Sequence, residues 1–201
     1  MNTTLAQRAV PLSNATVRNI LLAVAGSLLV AAAAQVKIPF WPVPMTLQTL
    51  AVLLVGGAYG ARLGAATLGL YALEGAVGLP FFAGGKAGLF DDKLTYFLPA
   101  SSMGYVAGFV LAAALVGYLA QTGWINSASR MVMAALAGAV VLYVPGLLWL
   151  GTWAMITQGF DVATAVQKTL EWGLYPFVYG DVLKAAIAGL GLSAGWTALK
   201  R

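Results

Sequence analysis

Residues 175–198 read Tyr-Pro-Phe-Val-Tyr-Gly-Asp-Val-Leu-Lys-Ala-Ala-Ile-Ala-Gly-Leu-Gly-Leu-Ser-Ala-Gly-Trp-Thr-Ala. A run this long and apolar crosses a bilayer as one helix. Yet it contains Asp181 and Lys184, three positions apart and therefore on one helix face. In hydrocarbon each charge costs roughly 2.5–3.5 kcal/mol even on the lenient insertion scale. Three readings fit such a pair: a polar clamp on a ligand, an ion pair stapling two helices, or a proton relay. Gly180 just before the pair removes side-chain bulk there and favours a bound ligand.

Composition sets the class. The chain of 201 residues is 61% hydrophobic and 8% charged, too apolar to cover a soluble globule. Only helices and closed barrels satisfy their backbones in lipid. The apolar runs are continuous and lack the alternation of a barrel strand, so helices follow. Six windows stand out, at about 19–35, 46–60, 63–78, 103–120, 131–156 and 175–198, the fifth long enough to tilt or to bend at Pro145-Gly146. The expectation is an all-α integral membrane protein, a six-transmembrane-helix bundle. Residues 1–17 would form a short N-terminal tail and residues 18–201 a single membrane domain. Arg8, Arg18, the first apolar run and Ala32-Ala33-Ala34 also fit a cleavable secretory signal.

Charge fixes the expected orientation. With six spans one side carries Arg8, Arg18, Arg62, Arg130, Lys200 and Arg201 and no acid. The other carries Lys37, Lys86, Lys93 and Lys168, offset by Asp91, Asp92, Asp161 and Glu171. The positive-inside rule then places both termini in the cytoplasm. The net charge of +5 is spread over single residues, which argues against nucleic acid. There is no Cys and no His, which removes thiol chemistry, the commonest metal ligand and the commonest general base. No metal site, cofactor or enzyme activity is expected.

Two outer segments are unlike simple turns. Residues 35–45 hold three prolines, which forbid continuous helix and favour a stiff extended loop. Residues 78–102 run through Phe81, Phe82, Gly84, Gly85, Lys86 and Lys93, suiting a loop that dips over a cavity and brings its backbone near a ligand. Gln48 points either into that cavity or to a helix–helix hydrogen bond. Glu74 either pairs with a loop lysine or lies at the membrane surface. Most outer aromatics fit an interfacial belt; Tyr105 and Tyr179, near the loop and the Asp–Lys pair, are candidates for contact with a ligand ring. Small residues recur every four positions at Ala23, Ser27 and Ala31, at Gly56, Gly60 and Gly64, and at Gly104 and Gly108. Such stripes let helices approach closely. On the first span the stripe suits either the bundle or another membrane subunit. Gly84-Gly85-Lys86-Ala87 is no phosphate loop, because Pro80 replaces the first Gly and Ala87 the Ser or Thr. Any ATPase that drives the protein would be a separate chain.

These motifs together resemble a known family. Ile-Pro-Phe-Trp-Pro-Val-Pro-Met-Thr-Leu-Gln-Thr-Leu-Ala-Val-Leu-Leu (38–54) is similar to the first loop and second helix of BioY, the biotin-binding S component of energy-coupling-factor (ECF) transporters. Gly-Ala-Val-Gly-Leu-Pro-Phe-Phe-Ala-Gly-Gly (75–85), Gly-Tyr-Val-Ala-Gly-Phe (104–109) and Gly180-Asp181-Val182-Leu183-Lys184 look like its later signatures, in order. A Gly-Pro-Thr-Gly-Gly-Tyr stretch common before the fourth helix reads here Pro99-Ala-Ser-Ser-Met-Gly104-Tyr105. The resemblance implies capture of biotin on the outer side of the cytoplasmic (inner) membrane. It also implies a transmembrane coupling protein and two ATPases as partners, with Ala23, Ser27 and Ala31 facing the coupling protein. Asp181 and Lys184 would then grip the ureido ring, Gln48, Gly84, Gly85, Phe81, Tyr105 and Tyr179 would line the site, and Lys86 or Lys93 would meet the biotin carboxylate. The alternative is a self-sufficient ion- or proton-coupled carrier in which Asp181 and Glu74 titrate.

Overall fold

A computed structural model describes residues 3–88 and 100–200. Each of the six apolar windows folds as helix: α2 Ala15–Gln35, α3 Gln48–Tyr59, α4 Ala61–Ala76, α5 Met103–Gln121, α6 Ala128–Gln158 and α8 Val178–Leu199. Among the described residues two further α-helices precede and interrupt them, α1 Leu5–Ala9 and α7 Val162–Gly173, and a short 3-10 helix, Trp124–Asn126, joins α5 to α6. By length and composition α2, α5, α6 and α8 are long and apolar enough to cross a membrane. The other two windows are shorter. At about 1.5 Å per residue α3 spans roughly 18 Å and α4 roughly 24 Å, because residues 46 and 47 belong to a hairpin and Gly60 breaks the helix between them. Gly60 holds φ +83°, which an L side chain rarely adopts, so the α3–α4 turn takes one residue.

The N-terminal stretch is structured rather than a bare tail. Thr4 and Gln7 form a reciprocal capping box at α1, Ala6 is buried, and α1 rests on α3 and α8. Asn14 caps α2 by accepting from the N–H groups of Thr16 and Val17, so the first long helix begins at Ala15. The other unforeseen helix, α7, has Asp161 as its N-cap, accepting from Thr164 N at 2.7 Å. That hydrogen bond holds the Asp161 carboxyl below its ordinary pKa.

α5 forms the spine, packed against α3, α4 and α6. Where α5 crosses α6, a methyl group added at Gly108 would stand 2.5 Å from the Leu142 carbonyl oxygen, and one at Gly104 would collide with that of Pro145. The four-residue glycine spacing therefore brings two backbones into contact, as small residues do in lipid. α6 runs unbroken through Pro145 for 31 residues. That is about 46 Å, well beyond the roughly 30 Å hydrocarbon core, and its C-terminal end carries α7 alongside it. The outside of the bundle is apolar: Leu21, Val24 and Leu28 on α2, Val140, Val144 and Leu148 on α6, and Leu183, Ile187 and Leu190 on α8 are all exposed.

One assignment is corrected by the packing. Ser27 is fully buried and Ala31 is buried, with Ala23 half-buried beside them. Their stripe faces the bundle, where α2 lies on α4, and is not a free docking face. The opposite side of α2, bearing Leu21, Ala25, Leu28 and Ala32, is the exposed one.

Candidate functional site

The site forms at one end of the bundle, where α2 ends, α3 begins, α4 ends, α5 begins, α6 ends and α8 begins. Between α2 and α3 the proline-rich segment folds back on itself instead of running extended. Lys37 and Ile38 pair antiparallel with Met45 and Thr46, and the intervening residues 39–44 arch over the cavity. Aromatic contacts anchor the arch. The Trp41 ring meets Trp172 of α7 edge-on at 5.0 Å and Trp153 of α6 at 6.3 Å, and Phe40 meets Phe177 at 6.2 Å. Ser101 Oγ donates to the Pro42 carbonyl at 2.6 Å, and Trp149 Nε1 donates to that of Ala100 at 2.9 Å, fixing the start of α5 beneath the arch.

After α4 the chain turns back. Phe82 and Lys86 form a β-bridge, and the Phe82 ring packs on Gly75 and stands edge-on to Tyr71 at 5.8 Å. Together these segments enclose a cavity of about 410 Å³, a size suited to a small molecule. Its walls are mainly aromatic and aliphatic: Phe40, Trp41, Val43, Phe82, Val106, Phe109, Leu142 and Phe177.

Asp181 and Lys184 both line this cavity and both are buried. Lys184 Nζ donates to Asp181 Oδ1 at 2.9 Å. Asp181 also accepts from Thr49 Oγ1 at 3.0 Å and from Tyr143 Oη at 2.5 Å. An ionised carboxylate offers about four lone-pair sites, and three are occupied. Lys184 has three donors and uses one on Asp181. The pair is therefore compensated within the bundle yet still has hydrogen-bonding capacity facing the cavity. Gln48 lines the cavity too, and the two readings of its amide hold together: Nε2 donates to Tyr71 Oη at 2.6 Å while Oε1 accepts from Thr46 at 3.1 Å. Tyr71 Oη in turn donates to the Phe81 carbonyl at 3.2 Å, tying the loop after α4 to α3.

The remaining candidates separate. Lys86 lines the cavity, as does Tyr105, whose hydroxyl donates to the Gly173 carbonyl at 2.8 Å, so that its ring is what faces the site. Phe81, Gly84 and Gly85 stand behind the wall in the same turn rather than on it. Tyr179 does not line the cavity: it is 88% exposed on the outside of α8, two positions from Asp181 and hence on another helix face. Lys93 lies outside the described residues. Glu74 is also off the cavity wall, with its Oε2 buried and lacking a hydrogen-bond partner among the described residues. Three participants were not singled out from sequence: Thr49, Tyr143 and Lys37, the last at the cavity rim. Tyr143 carried one signal, a hydroxyl that is one of only two, with Thr152, in an otherwise apolar window. Tyr143→Phe is expected to lower stability by about 1.5–3 kcal/mol, the worth of a hydrogen bond to a charged group. Denaturation of the detergent-purified protein measures this, and an unchanged midpoint would mean that the bond carries no weight.

The comparisons with known proteins agree with one another. A model of the BioY family matches residues 3–201. The biotin transporter BioY of Rhizobium etli is 33% identical over 162 residues, covering 77% of this chain and 79% of that protein. The biotin transporter BioY of Thermotoga maritima is 31% identical over 162 residues, covering 81% and 86%. The biotin transporter BioY2 of Lactococcus lactis is 30% identical over 187 residues, covering 90% and 93%. Among solved structures, the S-component for biotin from an ECF-type ABC transporter superposes with a TM-score of 0.72 at 22% identity, covering 91% of this chain and 93% of that one. At that identity the likeness is one of fold. With its apolar exterior and long apolar helices, this chain is a multi-pass membrane protein.

Proposed function

The chain belongs to the BioY family, and on that premise we propose that it is a biotin-capture subunit of the cytoplasmic membrane. It takes the vitamin from outside and delivers it inward with an ECF coupling protein and its two ATPases. The observation that carries this reading is the compensated Asp181–Lys184 pair on the wall of an aromatic cavity of about 410 Å³. Biotin presents a ureido ring with two N–H donors and one carbonyl, an apolar thioether ring, and a valerate tail ending in carboxylate. Asp181 accepts one ureido N–H at its remaining lone pair, and Lys184 donates to the ureido carbonyl. Both bonds are charge-assisted and both strengthen once the arch excludes water. The Gln48 carbonyl oxygen is a second acceptor. Phe40, Phe82, Phe109 and the Tyr105 ring enclose the bicycle, and Lys86, with Lys37 or Lys93, pairs with the carboxylate.

The same reading places six helices across the bilayer, the two short spans α3 and α4 being joined by the one-residue Gly60 turn and extended at the other end by the hairpin. Both termini lie in the cytoplasm, as the arginine bias requires. The cavity then opens outward. With the α2 small-residue stripe buried, the exposed face of Leu21, Ala25, Leu28 and Ala32 is the better surface for the coupling protein.

Calorimetry of the detergent-purified protein with biotin, desthiobiotin and an unrelated vitamin tests the proposal. Biotin is expected to bind tightest, desthiobiotin more weakly for want of the thioether ring, and the unrelated vitamin not at all. Zero heat with biotin, or equal heat with all three, would defeat it.

A further inference from the structure

At the end of the bundle opposite the cavity lies a smaller pocket of about 340 Å³, between α1, the turn joining α5 to α6, and the last turn of α8. Two cations converge there on one buried indole. The Arg8 guanidinium stands 4.4 Å from the Trp196 ring centroid, and Lys200 Nζ stands 5.5 Å from it. Asn126 holds this arrangement in place, its Oδ1 accepting both from Trp196 Nε1 at 2.9 Å and from Lys200 Nζ. Thr3, Thr4 and Gln121 complete a polar wall, and among the described residues no side-chain carboxylate lines the pocket. Two positive charges are thus gathered over one ring, with no acidic side chain beside them among the described residues.

We propose that this pocket binds a phosphate-bearing anion supplied by the headgroup of an acidic membrane lipid. A planar guanidinium fork with a neighbouring ammonium suits phosphate, which accepts two parallel N–H bonds from the one and a point charge from the other. An anion between Arg8 and Lys200 also relieves their mutual repulsion. The pocket's position favours a lipid as the source. The half-buried Trp124 of the α5–α6 turn suits the zone where indoles meet headgroups, and the exposed Leu199 leads from the pocket to the apolar flank of α8, where acyl chains would run. Basic pockets between transmembrane helices hold anionic headgroups elsewhere by the same chemistry. A lipid seated here would tie α1 to the α5–α6 turn and α8, at the far end from the ligand cavity. The inference does not depend on which molecule that cavity takes.

The test uses the full-length protein in a neutral detergent, titrated with phosphatidylglycerol or phosphatidylcholine, with retained lipid counted by native mass spectrometry. Phosphatidylglycerol is expected to be retained about tenfold better or more. Arg8→Gln with Lys200→Gln should reduce it to the phosphatidylcholine level. Arg130→Gln, an exposed change at the same end but outside the pocket, should leave the preference intact. Displacement of the lipid by millimolar inorganic phosphate would support recognition of the phosphate group itself, and resistance to displacement would support the whole lipid as occupant. Equal retention of the two lipids by the wild-type protein would overturn the proposal, as would an unchanged preference in the double variant. Should that variant fail to fold, the wild-type comparison decides alone.

Discussion

Asp181→Asn is expected to weaken biotin binding by at least about 30-fold, some 2 kcal/mol, and to lower stability by about 3–5 kcal/mol. The stability loss follows from what the carboxylate holds. It accepts from Lys184, Thr49 and Tyr143, which come from α8, α3 and α6. An amide in its place leaves the Lys184 ammonium buried without a counter-charge and offers a single acceptor oxygen to three donors. Breaking one side of a buried pair is more damaging than removing both. The pair can therefore be tested for two roles separately. Asp181→Leu combined with Lys184→Met is expected to regain part of the stability, because apolar replacements of similar volume often match a buried ion pair, while the Thr49 and Tyr143 hydroxyls still lack their acceptor. It should regain none of the affinity. Unfolding midpoints and calorimetry on the same preparations give both numbers. Wild-type affinity in the double variant would show that the pair is a staple and that the ligand lies elsewhere.

The second large effect concerns backbone contact. Gly108→Ala and Gly104→Ala are each expected to cost about 1–3 kcal/mol, as overpacking does in a tight core. The added methyl at either position meets a carbonyl of α6, and backbone cannot rotate away as a side chain can. α5 and α6 must separate, and Tyr143 and Leu142 move with α6, so the affinity of the cavity should fall along with stability. Gly69→Ala on α4 is the control: nothing lies within 4 Å of its added methyl, and alanine is the better helix former. Thermal unfolding in detergent should show the α5 variants well below the wild type and the α4 variant at or above it. Equal midpoints would refute the close-approach account.

Much of the fold was legible because lipid imposes a severe rule on composition. A segment that stays apolar over its whole length can only be a helix in hydrocarbon, so the six windows followed from hydropathy alone. The charged pair was legible for the related reason that its expense made it conspicuous. α7 was missed although it carries an amphipathic pattern: Ala165 and Thr169 turn inward, while Gln167, Lys168 and Glu171 stay at the surface. Its residues read as an outer segment because the helix is short and carries charge, unlike a membrane span.

Which way each membrane helix turns its faces was not legible. In a soluble helix the polar side marks the solvent and the apolar side the core. In lipid both sides are apolar, so α2 could present Ser27 or Leu28 inward with no difference in pattern, and packing against α4 chose Ser27. The same ambiguity hid Tyr143 and Thr49 and made Tyr179 look like a site residue.

The amino-acid sequence by itself determined the membrane class, the helical segments, the charge asymmetry and the acid–base couple at the heart of the site. Only the tertiary structure decided which hydroxyls converge on Asp181, which small residues are buried, and how the proline-rich arch closes over the cavity. Hydropathy is a property of a segment, whereas convergence is a property of several segments packed at short range.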